Sequence, residues 1–288
     1  MYIGAIEAGG TKFVIAILDE QGNIVERKSF PTTSPAETFQ NIYQVLDAYE
    51  LKAIGVGSFG PIDVDKNSST YGYITSTPKL KWRNTDFLGP LKERYQLPIS
   101  WTTDVNASVI GEYHYGAGQN TQHCVYFTIG TGVGAGIVVN DQLLTYNYHP
   151  EVGHLMAKRH PQDMEFAGIC PSHGDCIEGL ISGPAIQARW GKPAEELVNQ
   201  AQVWEIEAYY LAQLIYNLQL VLRTERFILG GGVMHVPGLI DQVRDQVKKL
   251  NHDYIEMGDL NQLIVLPELG DNAANMGCYY QAKQLLMN

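Results

Sequence analysis

The stretch Ile3-Gly4-Ala5-Ile6-Glu7-Ala8-Gly9-Gly10-Thr11-Lys12-Phe13-Val14-Ile15-Ala16-Ile17-Leu18 carries two apolar, β-branched runs separated by a short Gly/Thr turn. Runs of that composition on either side of glycines predict a strand, a tight turn and a second strand. The plan returns where Val125-Tyr126-Phe127-Thr128-Ile129 leads through Gly130-Thr131-Gly132 into Val133-Gly134-Ala135-Gly136-Ile137-Val138-Val139. In neither place do the glycines open a helix. That excludes the P-loop and the dinucleotide fingerprint, which both need a helix N-terminus behind the glycines. One such hairpin carries little weight by itself, but two in similar contexts, about 120 residues apart, predict a duplicated domain.

Outward from the first hairpin, residues 35–50 space their apolar side chains as a helix does. A buried-type strand, Ala53–Ser58, ends at Gly60-Pro61; another, Ile99–Thr102, precedes a helix over Val105–Tyr115. Beyond the second hairpin the pattern from Pro184 to Leu222 is almost wholly helical, and its aromatic-rich part, Trp204–Tyr216, reads as core. A strand at Arg226–Leu229 runs into Gly230-Gly231-Gly232, followed by a helix from about Gly238 to Leu250, a strand at Leu263–Leu266 and a closing helix at about Asn272–Leu286. The alternation predicts an α/β protein of two lobes meeting near residue 116. Residues 1–116, with the closing helix at about 272–288, form the smaller lobe; residues 117–271 form the larger.

The chain has 288 residues, 45% hydrophobic and 18% charged, which describes a globular protein and not a disordered one. Its net charge of -11 leaves no basic stripe to neutralise phosphates, so no nucleic-acid partner is expected. The start, Met1-Tyr2-Ile3-Gly4, lacks a charged segment before an apolar one, and no apolar run approaches membrane-spanning length. Of the four cysteines, Cys124 and Cys278 lie in apolar contexts and are expected as buried reduced thiols, in a cytoplasmic setting.

The other two belong to the densest chemistry in the chain. Glu151-Val152-Gly153-His154 precedes Cys170-x-x-His173-x-x-Cys176-x-Glu178. Three soft ligands fall within seven residues, and His154 is the fourth candidate, with His149 or His160 as alternatives. A closed set of four N and S ligands favours tetrahedral Zn²⁺ and leaves no open position for a reacting water. The motif therefore predicts a clip that shapes residues 154–176, with Glu151 and Glu178 at its ends suited to touching a substrate. Elsewhere, Asp104 follows a strand, either as a carboxylate at the ligand-binding edge of a sheet or as a helix N-cap. Lys12 and the two Gly/Thr turns offer a cation, hydroxyls and closely approachable N–H groups, as a polyphosphate requires, although a surface lysine on a hairpin is also common. Gly231-Gly232 would admit a flat ligand.

Together these segments resemble the ROK family (repressor, open reading frame, kinase) of sugar kinases, and within it the bacterial zinc-containing fructokinases. The resemblance runs from the first hairpin to the closing helix. It includes Glu7–Phe13, Gly57–Asp63, Thr70–Lys79, Trp101–Ala107, Thr128–Gly134, His149–His154, Cys170–Glu178 and Ile228–Met234. It implies a two-lobed actin-like ATPase fold, ribonuclease H-like and duplicated, with ATP and sugar in the cleft, and phosphoryl transfer from Mg-ATP to the 6-hydroxyl of fructose. On matching positions it implies Asp104 as general base, which settles the choice between base and cap. Gly9, Gly10, Thr11 and Lys12 would cradle the phosphates together with Thr131, Gly132 and the rest of that turn. Gly183, Pro184, Gly231, Gly232 and Val233 would flank the adenosine. Thr103, Asp104, Glu151, His154 and Glu178 match sugar positions, and His154, Cys170, His173 and Cys176 match the zinc ligands. Glu7 stands where most relatives carry an Asp near Mg²⁺. Thr103 replaces the Asn of glucose-type relatives, as in the fructokinase branch. The resemblance also implies a homodimer acting on a small-molecule sugar and nucleotide.

Overall fold

A computed structural model describes residues 1–145 and 148–287 of the chain. Its contacts divide it into two units, one of Met1–Gln119, Leu143–His149 and Leu269–Asn288, the other of Asn120–Gln142 and Pro150–Glu268.

In the first unit, β1 (Tyr2–Ala8), β2 (Lys12–Leu18) and β3 (Ile24–Pro31) are followed by α1 (Pro35–Leu46) and β4 (Leu51–Ser58). A small ribbon of β5 (Tyr73–Ile74) and β6 (Thr85–Asp86) leads to α2 (Leu88–Tyr95), β7 (Ile99–Thr103) and α3 (Asp104–Tyr115). The sheet order is β3-β2-β1-β4-β7, with β2 antiparallel to both β1 and β3, and β4 and β7 parallel to β1.

The second unit repeats the plan. Its elements are β8 (His123–Ile129), β9 (Val133–Val139), β10 (Gln142–Leu143), α4 (Ile177–Ile181), α5 (Gly183–Trp190), α6 (Ala201–Leu222), β11 (Arg226–Gly230), α7 (Leu239–Asn251), α8 (Leu260–Leu263) and β12 (Ile264–Val265). The order β10-β9-β8-β11-β12 again places the first strand centrally, its hairpin partner on one side and parallel strands on the other. The two Gly/Thr turns seen in the sequence are the β1–β2 and β8–β9 hairpins of equivalent sheets.

Two stretches differ from the sequence reading. Helix does not run on from Pro184 to Leu222: Gly191, at φ 73°, ends α5, and Pro193 withholds a backbone donor before α6 begins at Ala201. The last strand is only Ile264–Val265, because Leu260–Leu263 form a helical turn capped by the Asp259 side chain and Pro267 follows.

The first sheet is covered on both faces, which explains its unbroken apolar runs. One face, with Ile6, Ala8, Phe13, Ile15 and Ile17, packs against an aromatic cluster of Phe39, Trp82 and Phe87. Trp82, 1% exposed, is core. The opposite face presents Ile3, Ala5, Ala16, Leu18 and Ala53 to the last helix, α9 (Ala273–Gln284). The buried amide of Asn275 pins that helix by donating to the carbonyls of Ala5 and Val14, each at 3.1 Å. Small side chains let α9 come against α3 at backbone distance. A methyl at Gly277 would overlap the carbonyl oxygen of Ala107, and one at Gly111 that of Ala273. Gly277→Ala should therefore cost about 3 kcal/mol, the upper end of the usual overpacking range, since a helix backbone must move to admit it. Thermal unfolding checks this, and an unchanged Tm would show that the contact is softer than the geometry implies.

Candidate active site and metal centre

Ala8, Ser58 and Thr103 form one row across β1, β4 and β7, so Gly9, Phe59 and Asp104 leave the first sheet at the same carboxyl-end edge. In open α/β sheets ligands bind at that edge. Asp104 is the first residue of α3, and the cap is its neighbour: the Thr103 hydroxyl accepts from the Asn106 N–H at 3.1 Å. Capping thus falls to Thr103, which is 3% exposed, and leaves one Asp104 oxygen bonded to the Val105 N–H at 2.9 Å. The close approach of α3 depends on Gly57, where a methyl would come within 2.7 Å of the Ala107 Cβ. Burial pushes the Asp104 carboxyl up to about 6, with the Val105 N–H opposing. Glu7 on β1 is pushed up to about 7, first by burial and then by the charge of Asp104, against the pull of Lys12 and Arg27. The charge of Asp104 is therefore felt at Glu7.

The β1–β2 turn is held from behind. Gly9 N–H donates to the Lys12 carbonyl at 3.0 Å, the Thr32 hydroxyl to the Gly9 carbonyl at 2.7 Å, and the Thr32 N–H to the Thr11 carbonyl at 2.9 Å. Among the described residues the N–H groups of Gly10 and Thr11 meet no protein acceptor, so they remain available to an anion. Lys12 is exposed and lies 3.7 Å from the Asp271 carboxylate, a weak, screened pair.

In the second unit three separate stretches converge on the other hairpin turn. The Gly183 N–H donates to the Gly130 carbonyl at 2.8 Å, bringing the start of α5, and with it Pro184, beside Thr131 and Gly132. Gly231, at φ 90°, sits so close to the Ile129 backbone that any side chain would overlap it, and it leads into Gly232 and Val233. Glu178 on α4 accepts from the Val133 N–H at 3.0 Å. That bond ties the Cys/His segment to the turn and was not legible in the sequence, since the partners are 45 positions apart.

Glu151 and His154 bracket a tight helical turn, Val152–His154, in which the His154 N–H donates to the Glu151 carbonyl at 3.0 Å. His154 turns its Nδ1 toward two thiols, 3.7 Å from Cys170 Sγ and 3.5 Å from Cys176 Sγ; His173 Nδ1 is 3.6 Å from Cys170 Sγ. All four ligand atoms lie within 4.8 Å of one another. With Zn–S near 2.3 Å and Zn–N near 2.05 Å, a tetrahedron has N···S edges of about 3.6 Å, so the set fits zinc without rearrangement. His154 rather than His160 completes it, because the His160 Nδ1 accepts from the Gln162 N–H; His149 belongs to the other unit. Burial pushes the Cys176 thiol up to about 11, so a thiolate there requires a cation beside it.

The segment between the ligands is clamped from outside by a charge network. Arg159 pairs with Asp175 at 3.0 Å and donates to the carbonyls of Asp163 and Phe166. Buried Arg189 joins Asp163 at 2.9 Å to Glu207 of α6 at 3.1 Å. Neither arginine nor Glu207 stood out in the sequence, because an ion pair between a loop and two helices leaves no spacing pattern.

Cys124 and Cys278 are buried free thiols, and among the described residues no helix is long and apolar enough to cross a membrane.

Comparison with known proteins places this arrangement. The chain is 44% identical to a fructokinase of Lactococcus lactis subsp. cremoris over 99% of its own length and 98% of that protein's. It is 42% identical to a fructokinase of Streptococcus mutans serotype c, over 98% and 97% of the two chains. The crystal structure of a ROK family glucokinase from Streptomyces griseus in complex with glucose and AMPPNP superposes with a TM-score of 0.78 at 23% identity, covering 99% of this chain and 100% of that one. That likeness gives the fold, the actin-like ATPase fold expected from the sequence. The ROK family profile matches residues 3–285, and the chain belongs to that family.

Proposed function

We propose that the protein transfers the terminal phosphoryl group of ATP to the 6-hydroxyl of fructose, giving fructose 6-phosphate, with Asp104 as general base. The observation that carries the chemistry is the Asp104 carboxyl, at the carboxyl-end edge of the sheet and pushed up to about 6 by burial. Such a group is ionised at neutral pH yet close enough to it to accept a proton efficiently. The sugar follows from relatives named fructokinase, 41–47% identical over nearly the whole chain.

Each element then has a task. Asp104 orients the attacking hydroxyl and takes its proton as the bond to phosphorus forms. The Gly9–Lys12 and Thr131–Gly132 turns hold the phosphates through N–H groups and hydroxyls, stabilising charge on the transferring group. Gly183, Pro184 and Gly231–Val233 flank the adenosine, while Thr103, Glu151, His154 and Glu178 meet the sugar. Glu7, whose carboxyl is raised by burial and by the charge of Asp104, would fit a Mg²⁺ ion, which when bound would neutralise β- and γ-phosphoryl charge. His154, Cys170, His173 and Cys176 would hold Zn²⁺ in a closed set with no reacting ligand, and so would keep Glu151 and Glu178 in place.

Coupled ADP release across fructose, mannose, glucose and N-acetylmannosamine tests the reading. Fructose should exceed the others in kcat/KM by at least about tenfold. Equal turnover of mannose or glucose would replace it with a broader hexose kinase.

A further inference from the structure

We propose that Lys79 contacts the transferable phosphoryl group of the bound nucleotide, and that it, more than Lys12, supplies the positive charge at the first Gly/Thr turn. The inference rests on the phosphotransfer reading above and adds a residue to it.

Lys79 lies across the turn. A methyl at Gly10 would come within 2.9 Å of the Lys79 Cε and 3.8 Å of its Nζ, so the side chain runs over the backbone whose N–H groups are open to an anion. Its own backbone is fixed at several points. The Lys79 N–H donates to the Thr77 hydroxyl at 3.3 Å, and the Trp82 N–H donates to the Lys79 carbonyl at 2.8 Å. The Trp82 indole then donates to the Thr33 carbonyl at 2.9 Å and stacks on Phe13, its ring centroid 5.5 Å away and the residue next to Lys12. The aromatic core therefore sets the position of the lysine relative to the hairpin.

Charge accounting distinguishes the two lysines. Lys12 already has Asp271 at 3.7 Å and is exposed. Lys79 is half-buried, and among the described residues no carboxylate lies within ion-pair distance of it. A half-buried lysine with no carboxylate partner, laid against unsatisfied N–H groups, matches the needs of a phosphoryl group.

The edge geometry indicates which phosphoryl group. The turn follows β1 and Asp104 follows β7, two strands away at the same end of the sheet, or about 10 Å at ordinary strand spacing. The group closest to the hydroxyl held by Asp104 is the one transferred, so the cation at this turn meets the terminal phosphoryl rather than those that stay on ADP.

Titrating AMPPNP and ADP, each with Mg²⁺, into the wild type and into Lys79→Met tests this. The AMPPNP Kd should rise roughly 10–100-fold, the ratio a charge-assisted hydrogen bond produces, while the ADP Kd stays within about threefold. Lys79→Arg should recover part of the loss, and fructose affinity should not move. In the wild-type protein, AMPPNP but not ADP should protect Lys79 from acetic anhydride, read by mass spectrometry, which keeps the test valid if the variant fails to fold. Equal effects on both nucleotides, no effect on either, a loss confined to fructose, or absence of differential protection would each overturn the assignment. A wild type that binds neither nucleotide would overturn the phosphotransfer reading itself, a result distinct from one that binds both while Lys79 is indifferent.

Discussion

Asp104→Asn should lower kcat by about 10²–10⁴-fold, change fructose affinity by no more than a few-fold, and raise the melting temperature. The loss follows from removing the proton acceptor. Binding persists because an amide keeps the shape of the carboxyl and can still accept from the Val105 N–H through its oxygen. The stability gain is a matter of sign. The Asp104 carboxyl is raised from 3.8 to about 6, so the folded state holds this proton more tightly than the unfolded chain does. Above about pH 6 the folded protein must carry the buried charge, at a cost of up to about 3 kcal/mol that Asn does not bear. In the wild type the same ionisation should appear as an acid limb, with kcat/KM falling as pH drops through about 6. Stopped-time assays and thermal unfolding of the same preparations check both halves, and near-normal turnover in Asp104→Asn would remove Asp104 from the chemistry.

Loss of the metal should be nearly as damaging, for a different reason. Cys176→Ser, or prolonged chelation, should release one zinc per chain and lower stability by at least about 4 kcal/mol, on the order of 10 °C in Tm for a chain of this size. Cys176 has no exposed surface and His154 sits on the turn that begins at Glu151, so the ligand set ties the pocket segment together from both ends. The fructose KM should rise more than tenfold and protease sites should open between Leu155 and Ile169. Metal analysis, limited proteolysis and kinetics together read this. If chelation stopped phosphoryl transfer while folding and fructose binding stayed intact, zinc would belong to the reaction centre instead.

The fold was legible where one residue type had a local task. Glycines between β-branched runs announced both hairpins, and the nearly continuous burial of β1 and β2 follows from those unbroken runs. The break at residues 191–200 was missed because helical spacing resumes on the far side, although Gly191 and Pro193 mark it. In the site, Cys170, His173 and Cys176 were legible from spacing alone. His154 was not fixed by sequence, since it reaches the thiols only because its turn packs beside them. The cap reading weighed for Asp104 and set aside falls to its neighbour: Thr103 and Asp104 are both good capping types, and only the backbone decides which precedes the first helical residue. The placement of Lys79 over Gly10 was invisible, because nothing local connects it to a glycine about 70 positions earlier.

The return of α9 to the first sheet has a consequence for how the chain is made. All five strands of that sheet have been synthesised by residue 103, yet the face lined by Ile3, Ala5, Ala16, Leu18 and Ala53, which Ala107 of α3 covers only in part, is not completed until Ala273–Gln284 emerges. At ordinary translation rates the roughly 170 intervening residues take about 8–34 s. During that interval the second unit, contiguous but for a short insertion, can fold first. The earliest-made part of this protein is therefore the last to be finished, and until then it is exposed to chaperones and to neighbouring nascent chains.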